Sequence, residues 1–221
     1  MQLATTLRDA TVAGHGIEEW KVQETQSLIE LARRGDEAAA GRLLAAYGEY
    51  LKLLARVQIG RRLQGKLDAS DLVQETFLDA HRQIANFRGD SEGELLSWLR
   101  RILAGQVAMT LRRYVGGKGR DVNLERGIAA QIEQSSRAMD GNLIGSHTTP
   151  SQHAARREQS VLLADALAHL SEDHREAIVL RHLEGLSLAD TAARMGRSED
   201  SVQKLYVRGL INLRRLMGSN P

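Results

Sequence analysis

Cysteine is absent from the 221-residue chain, which excludes a disulfide framework and thiolate metal sites and agrees with a reducing compartment. Proline occurs twice and aromatic residues make up 4%, so helix breakers are rare and the residues that favour sheets are scarce. The composition predicts an all-α fold. No apolar run approaches the roughly 20 residues needed to cross a bilayer, and the first residues lack an apolar signal core, so a soluble, cytoplasmic protein with no membrane partner is expected. GxxxxGK[ST] and HExxH motifs are also missing, as is a cysteine nucleophile. The expectation is a protein that is not an enzyme, with no catalytic residue, no metal and no cofactor. His147, His153, His169, His174 and His182 are scattered without ligand spacing and read as surface residues.

Strong net charge is lacking too, at a formal +2, but the charge is unevenly placed. Six basic residues and no acid lie between Arg100 and Arg120, and further acid-free basic stretches run from Lys52 to Lys66 and from Arg208 to the end. Three such stretches in one chain favour a nucleic-acid partner over solvated helix faces.

What is present is helical periodicity in two blocks. Residues 1–24 show little periodicity and read as an extension. Between Thr25 and Val115 apolar residues recur at helical spacing, broken at Arg34-Gly35-Asp36, from Gly60 to Asp68 and from Gly89 to Gly93, which predicts about four helices. Residues 116–150 are rich in glycine and polar residues and show no sustained apolar stripe, so they read as a flexible linker. Periodicity resumes at Ser151, giving a second small domain over 151–221.

The second block carries a helix-turn-helix pattern. Ser187 precedes an apolar stripe of Leu188, Thr191, Ala192 and Met195, with Asp190 in the capping-box position. Gly196 suits a left-handed helix end, and Ser198 caps a second helix whose first turn holds Glu199 and Asp200. Ala192, Gly196 and Val202 supply the small residue, the turn glycine and the branched residue that two tightly crossing helices need. In the second helix Val202, Leu205, Gly209, Leu213 and Leu216 are expected inside. Asp200, Gln203, Lys204, Val207 and Arg208 are left outside, an amide and cations suited to base edges and phosphates in a major groove. This block is therefore expected to bind double-stranded DNA.

The first block has an acidic face. At 100° per residue Asp68, Asp71, Glu75 and Asp79 fall within about 80° of arc, with Val73, Phe77, Ala80 and Ile84 opposite. Such a face repels DNA and suits a basic protein. Arg88-Gly89-Asp90-Ser91 then leads into a helix running past Trp98 to Arg112 and Arg113, a polar loop beside a basic helix that can grip phosphates around an unstacked base. Trp98 continues the stripe of Leu95, Leu99 and Ile102 and reads as core.

The segment SEDHREAIVLRHLEGLSLADTAARMGRSEDSVQKLYVRGLINLRRL resembles region four of the extracytoplasmic-function sigma factors of bacterial RNA polymerase. Asp71-Leu72-Val73-Gln74-Glu75-Thr76-Phe77, Phe87-Arg88-Gly89-Asp90-Ser91 and Trp98-Leu99-Arg100-Arg101-Ile102 are similar to that family's region two. The resemblance implies region two over 25–115 and region four over 151–221. It implies that Asp68, Asp71, Gln74, Glu75 and Asp79 bind core RNA polymerase. Arg88, Gly89, Asp90, Ser91, Arg101, Gly105, Gln106, Arg112 and Arg113 would act on the minus-ten element and the melted non-template strand. Arg197, Ser198, Asp200, Gln203, Lys204, Val207 and Arg208 would read the minus-thirty-five element of promoter DNA. An anti-sigma factor is a candidate partner. The chain departs from the family in having Gly105 where Asn is common, Met109 where Asp is usual, and Gln203 and Leu205 for a common Lys and Arg, so no promoter sequence is carried over. Two other readings stay open at this point: a helix-turn-helix regulator acting without polymerase, and a helical protein-interaction or anti-regulator protein.

Overall fold

A computed structural model describes residues 23–60, 67–115, 122–142 and 150–218. The described residues are helical, with no strand among them. In order they form α1 (23–33), α2 (Glu37–Ala45), α3 (Gly48–Gly60), α4 (Ala69–Gln83), α5 (Glu92–Val115), α6 (Val122–Asn142), α7 (Pro150–Ala168), α8 (Glu172–Ile178), α9 (Leu188–Met195) and α10 (Glu199–Gly218). A 3-10 turn, Ile84–Asn86, extends α4, and a π turn, Val179–Leu183, extends α8. Residues 1–22 of the expected extension lie outside the described residues, as do Arg61, Arg62, Lys66, Lys118 and Arg120 of the basic stretches.

Local signals place the breaks. Gly35 sits at φ 91°, and Asp36 caps α2 by accepting from the Ala39 N–H at 2.8 Å. α3 buries residues around most of its circumference, among them Tyr50, Leu51, Leu54, Ala55 and Val57. It is the central helix, against which α4, α5, α6 and α7 all pack. α5 lays Leu95, Leu99, Leu103 and Val107 into the same core.

The reading of residues 116–150 as lacking an apolar stripe is corrected by α6. Leu124, Ile128, Ile132 and Met139 recur at helical spacing, and the last three are fully buried against the core, each worth about 1.5–3 kcal/mol relative to exposure. The stripe is narrow, widened only by Ala129 and the buried Ser135 and Ser136, and Gly127 on the exposed side breaks no contact. Polar bonds fasten the helix: Ser136 Oγ lies 3.0 Å from the Tyr50 hydroxyl, and Arg100 pairs with Glu133 at 3.1 Å while donating to Tyr50 at 2.9 Å. Gly116, Gly117, Gly119 and Gly145 lie outside the described residues.

α7 packs on α3 and α6, with its Leu163 and Leu167, and Leu170 just beyond its end, buried in the core, and α10 packs on α7 and α8. The buried side chains of the first and last helices thereby meet in one cluster, from Ile29 to Leu213. Arg194 of α9 donates to the Gly60 carbonyl at the end of α3. Within the α3–α7 contact, burial pushes the Asp165 carboxyl above the ordinary carboxylate range, and the nearby Glu49 carboxylate raises it further against the opposing effect of His169.

Candidate nucleic-acid interface

The helix-turn-helix is built from its caps. Ser187 Oγ accepts from the Asp190 N–H at 3.0 Å, while the Asp190 carboxylate takes the Ser187 hydroxyl at 2.5 Å. Gly196 ends α9 at φ 62°, letting the Arg197 N–H bond the Ala192 carbonyl at 3.0 Å. Ser198 Oγ accepts from the Ser201 N–H at 3.3 Å at the start of α10. Gly209 lets α10 cross α8 closely, since a Cβ there would lie 3.1 Å from Ile178 Cδ1 and 3.2 Å from the His174 carbonyl oxygen. The Tyr206 hydroxyl bonds His182 Nδ1 at 2.8 Å, so His182 is half-buried in the scaffold and not the surface residue expected.

Val202, Gly209 and Leu213 are buried as expected, with Leu205 at the margin. Leu216 is 38% exposed, a correction that follows from where the stripe is centred: Tyr206, Leu210 and Met217 lean on the core and leave Leu216 at its edge. Asp200, Gln203, Lys204, Val207 and Arg208 all lie exposed on the far side, joined there by Ile211, Arg214 and Arg215. Arg197 pairs with Asp173 at 2.8 Å and Lys204 with Asp200 at 2.7 Å. Both are surface pairs of about 0–1 kcal/mol, easily exchanged for phosphate.

The second set of residues is strung along α5, which rises about 36 Å over its 24 residues. At its start a capping box closes on itself: Glu94 Oε2 accepts from the Asp90 N–H, the Ser91 N–H and the Ser91 hydroxyl at 2.9, 3.1 and 2.9 Å, and Ser91 Oγ accepts from the Glu94 N–H. These donors, the Asp90 N–H first, hold the Glu94 carboxyl below its usual range. Gly89 has no room for a side chain, because a Cβ would lie 2.5 Å from the Phe87 ring and 2.7 Å from Glu94 Cβ. Phe87 is buried and meets the Trp98 ring at 5.0 Å; Trp98 is half-buried, packed against the core as expected. Arg88 and Ser91 are exposed.

Farther along α5, a cleft of about 630 Å³ opens between α4 and α5, lined by Trp98, Arg101, Gly105, Gln106 and Arg112 and bordered by Glu125 of α6. Arg101 is exposed, and Gly105 leaves open space where a side chain would stand. Gln106, expected to act on the minus-ten element, is buried. It is 6% exposed, its Nε2 donates to Asp79 Oδ2 at 2.5 Å, and its Oε1 is buried without a partner. Arg112 pairs with Glu125 at 3.3 Å, whereas Arg113 is exposed.

On α4, Asp71, Gln74 and Glu75 are exposed. Asp68 caps the helix by accepting from the Ser70 N–H at 2.9 Å, which holds its carboxyl below the usual range. Asp79 turns toward α5, bonded to Gln106 and paired with Arg82, so it stands apart from the other four. Leu78, 53% exposed between Glu75 and Arg82 on the helix surface, carries no signal in sequence because a lone leucine in a helix reads as core.

Arg33 of α1 is a second residue without a sequence signal. It donates to the Gly89 carbonyl and to Asp90 Oδ1, and its guanidinium lies 5.3 Å from the Phe87 ring centroid. Only the Arg-Arg-Gly-Asp turn marks its neighbourhood, and nothing there points 56 residues downstream.

Residues 46–115 match Sigma-70 region 2, and residues 160–213 match Sigma-70 region 4. The chain is 32% identical over 171 residues to the ECF RNA polymerase sigma-E factor of Haemophilus influenzae, covering 76% of this chain and 81% of that protein. It is 30% identical over 170 residues to the sigma-E factor of Escherichia coli K12, covering 77% and 82% respectively. A solved sigma factor RpoE of Bartonella quintana, in complex with the anti-sigma factor NepR, is 26% identical and covers 78% of this chain and 95% of its own, at a TM-score of 0.31. With both regions matched in order and relatives at 30% identity or more over three quarters of its length, the chain belongs to the extracytoplasmic-function sigma factors, which direct RNA polymerase in transcription initiation.

Proposed function

We propose that three surfaces divide the work of a cytoplasmic promoter-recognition subunit. The exposed face of α10, with Arg197 and Ser198 before it, reads the minus-thirty-five element: Gln203 offers a bidentate amide, Val207 an apolar contact, and Lys204 and Arg208 cations. Asp200 restrains Lys204 until DNA arrives. Arg88 to Ser91 and the α5 face bearing Arg101, Gly105, Arg112 and Arg113 act on the minus-ten element and the non-template strand. Gln106 supports that face from within through Asp79. Asp68, Asp71, Gln74 and Glu75 dock on a basic surface of core RNA polymerase, with Leu78 as an apolar contact in their midst.

The observation that carries this reading is the pairing of opposite chemistries in one chain. An acidic α4 face unsuited to DNA stands in the same molecule as a capped helix-turn-helix whose outer face is polar and basic. A regulator acting alone has no use for the former, and a protein-interaction scaffold has none for the latter. Strand opening would draw on binding energy and not on nucleotide hydrolysis by this chain. Family membership adds an anti-sigma factor as a partner class, to be sought by co-purification. The test is reconstitution with core polymerase and run-off transcription from genomic DNA. Discrete transcripts that depend on the chain support the reading, and DNA binding without core-dependent transcription overturns it.

A further inference from the structure

We propose that Arg33 is a positioning residue for promoter opening: from α1 it holds the Phe87–Ser91 loop in the shape that meets the minus-ten strand. The inference rests on the assignment of that loop to strand opening made above.

The loop is gripped from two sides. On one, Glu94 of α5 takes the N–H groups of Asp90 and Ser91. On the other, Arg33 reaches three separate points with one side chain: the Gly89 carbonyl, the Asp90 carboxylate at 3.2 Å and the face of Phe87. Only a planar guanidinium can stack on a ring and donate sideways at the same time. Gly89 completes the arrangement by letting its backbone approach Phe87 and Glu94 more closely than any side chain permits.

Two consequences bear on the strand. The loop is ordered in the free protein, so its ordering entropy is met in folding and not in binding. The Asp90 carboxylate, 87% exposed, is anchored by Arg33 at 3.2 Å, so losing either partner loosens the loop. Arg33 itself is only 24% exposed and turned inward, so it acts through the loop.

The experiment uses full-length chain in reconstituted holoenzyme on two templates, a duplex promoter and the same promoter with a mismatched bubble at the minus-ten element. Run-off transcript and permanganate reactivity of unpaired thymines are read on each. Arg33→Ala is expected to lower both signals on the duplex about tenfold, the scale of one lost charge-assisted hydrogen bond, and to leave the bubble template within about twofold of wild type. Arg33→Lys, which keeps the charge but not the fork or the stack, is expected to recover part of the loss. Asp90→Asn, on an exposed side chain, provides the test should Arg33→Ala fail to fold. It is expected to lower opening of the duplex and spare the bubble, and, combined with Arg33→Ala where that variant folds, to add little further loss. Equal loss on both templates, no loss on either, or full additivity of the two changes overturns the proposal. Wild-type chain inactive on both templates would instead overturn the sigma-factor assignment of the loop.

Discussion

Gly89 is small for want of room, not for backbone freedom, since a Cβ would collide with the Phe87 ring and with Glu94. Gly89→Ala is therefore expected to cost about 1–3 kcal/mol through overpacking, read as a lowered midpoint in chemical denaturation. On the proposed assignment, side chains on the outer face of α10 are expected to separate by role. Gln203→Ala should cost about 1–3 kcal/mol at a selected site and relax preference at one or two base pairs. Changing Arg214 and Arg215 to Ala should weaken binding to every duplex and flatten its salt dependence. Titration of the full-length chain against selected and scrambled duplexes at several salt concentrations decides between them; one common factor for both changes on both duplexes would remove base reading from this helix. Residues whose role is local are legible in the sequence: Ser187, Gly196 and Ser198 each act within four residues of their own position. Gln106 and Arg33 are not, because their partners lie 27 and 56 or 57 residues away and no spacing rule spans that distance.

Among the elements, α4 gives the plainest test of polymerase docking. Reversing Asp71 and Glu75 to Lys should weaken core binding in a pull-down or titration while DNA affinity through α10 stays unchanged, because both side chains are exposed and lie on α4, away from α10 in the chain. The α3–α7 contact is expected to respond to pH. Since the Asp165 carboxyl is raised in the folded chain, protons bind the folded state more tightly than the unfolded one between the two values, and stability falls as pH rises through that window. Asp165→Asn should raise the thermal midpoint near neutral pH, with the gain shrinking as pH drops into the ordinary carboxylate range. A gain independent of pH would place its origin outside this titration. α6 shows why an element can escape a sequence reading: its stripe uses four large apolar residues in sixteen positions, and the glycines around it dominate the composition. Burial depends on what α3 and α5 offer it, which no window of its own sequence contains.

At the scale of the whole molecule, the contact of α7 with α3 and α6 acts as a limit on reach. A compact chain of this length has a radius of gyration near 17 Å, whereas elements centred about 25 base pairs apart lie about 85 Å from one another along B-form DNA. Packed as it is, with Arg194 of the helix-turn-helix bonded to the end of α3, the molecule cannot touch both elements at once. On the proposed assignment the α7 contact must be given up when the chain joins polymerase at a promoter, and energy-transfer probes on α4 and α10 should report a large increase in separation at that step. An unchanged separation would mean that one of the two elements is misassigned. The packing of α7 on α3 and α6 that stabilises the free protein would thus set a toll on its stretching. On that assignment the free chain would be a folded ruler, read out only once it has opened along the promoter.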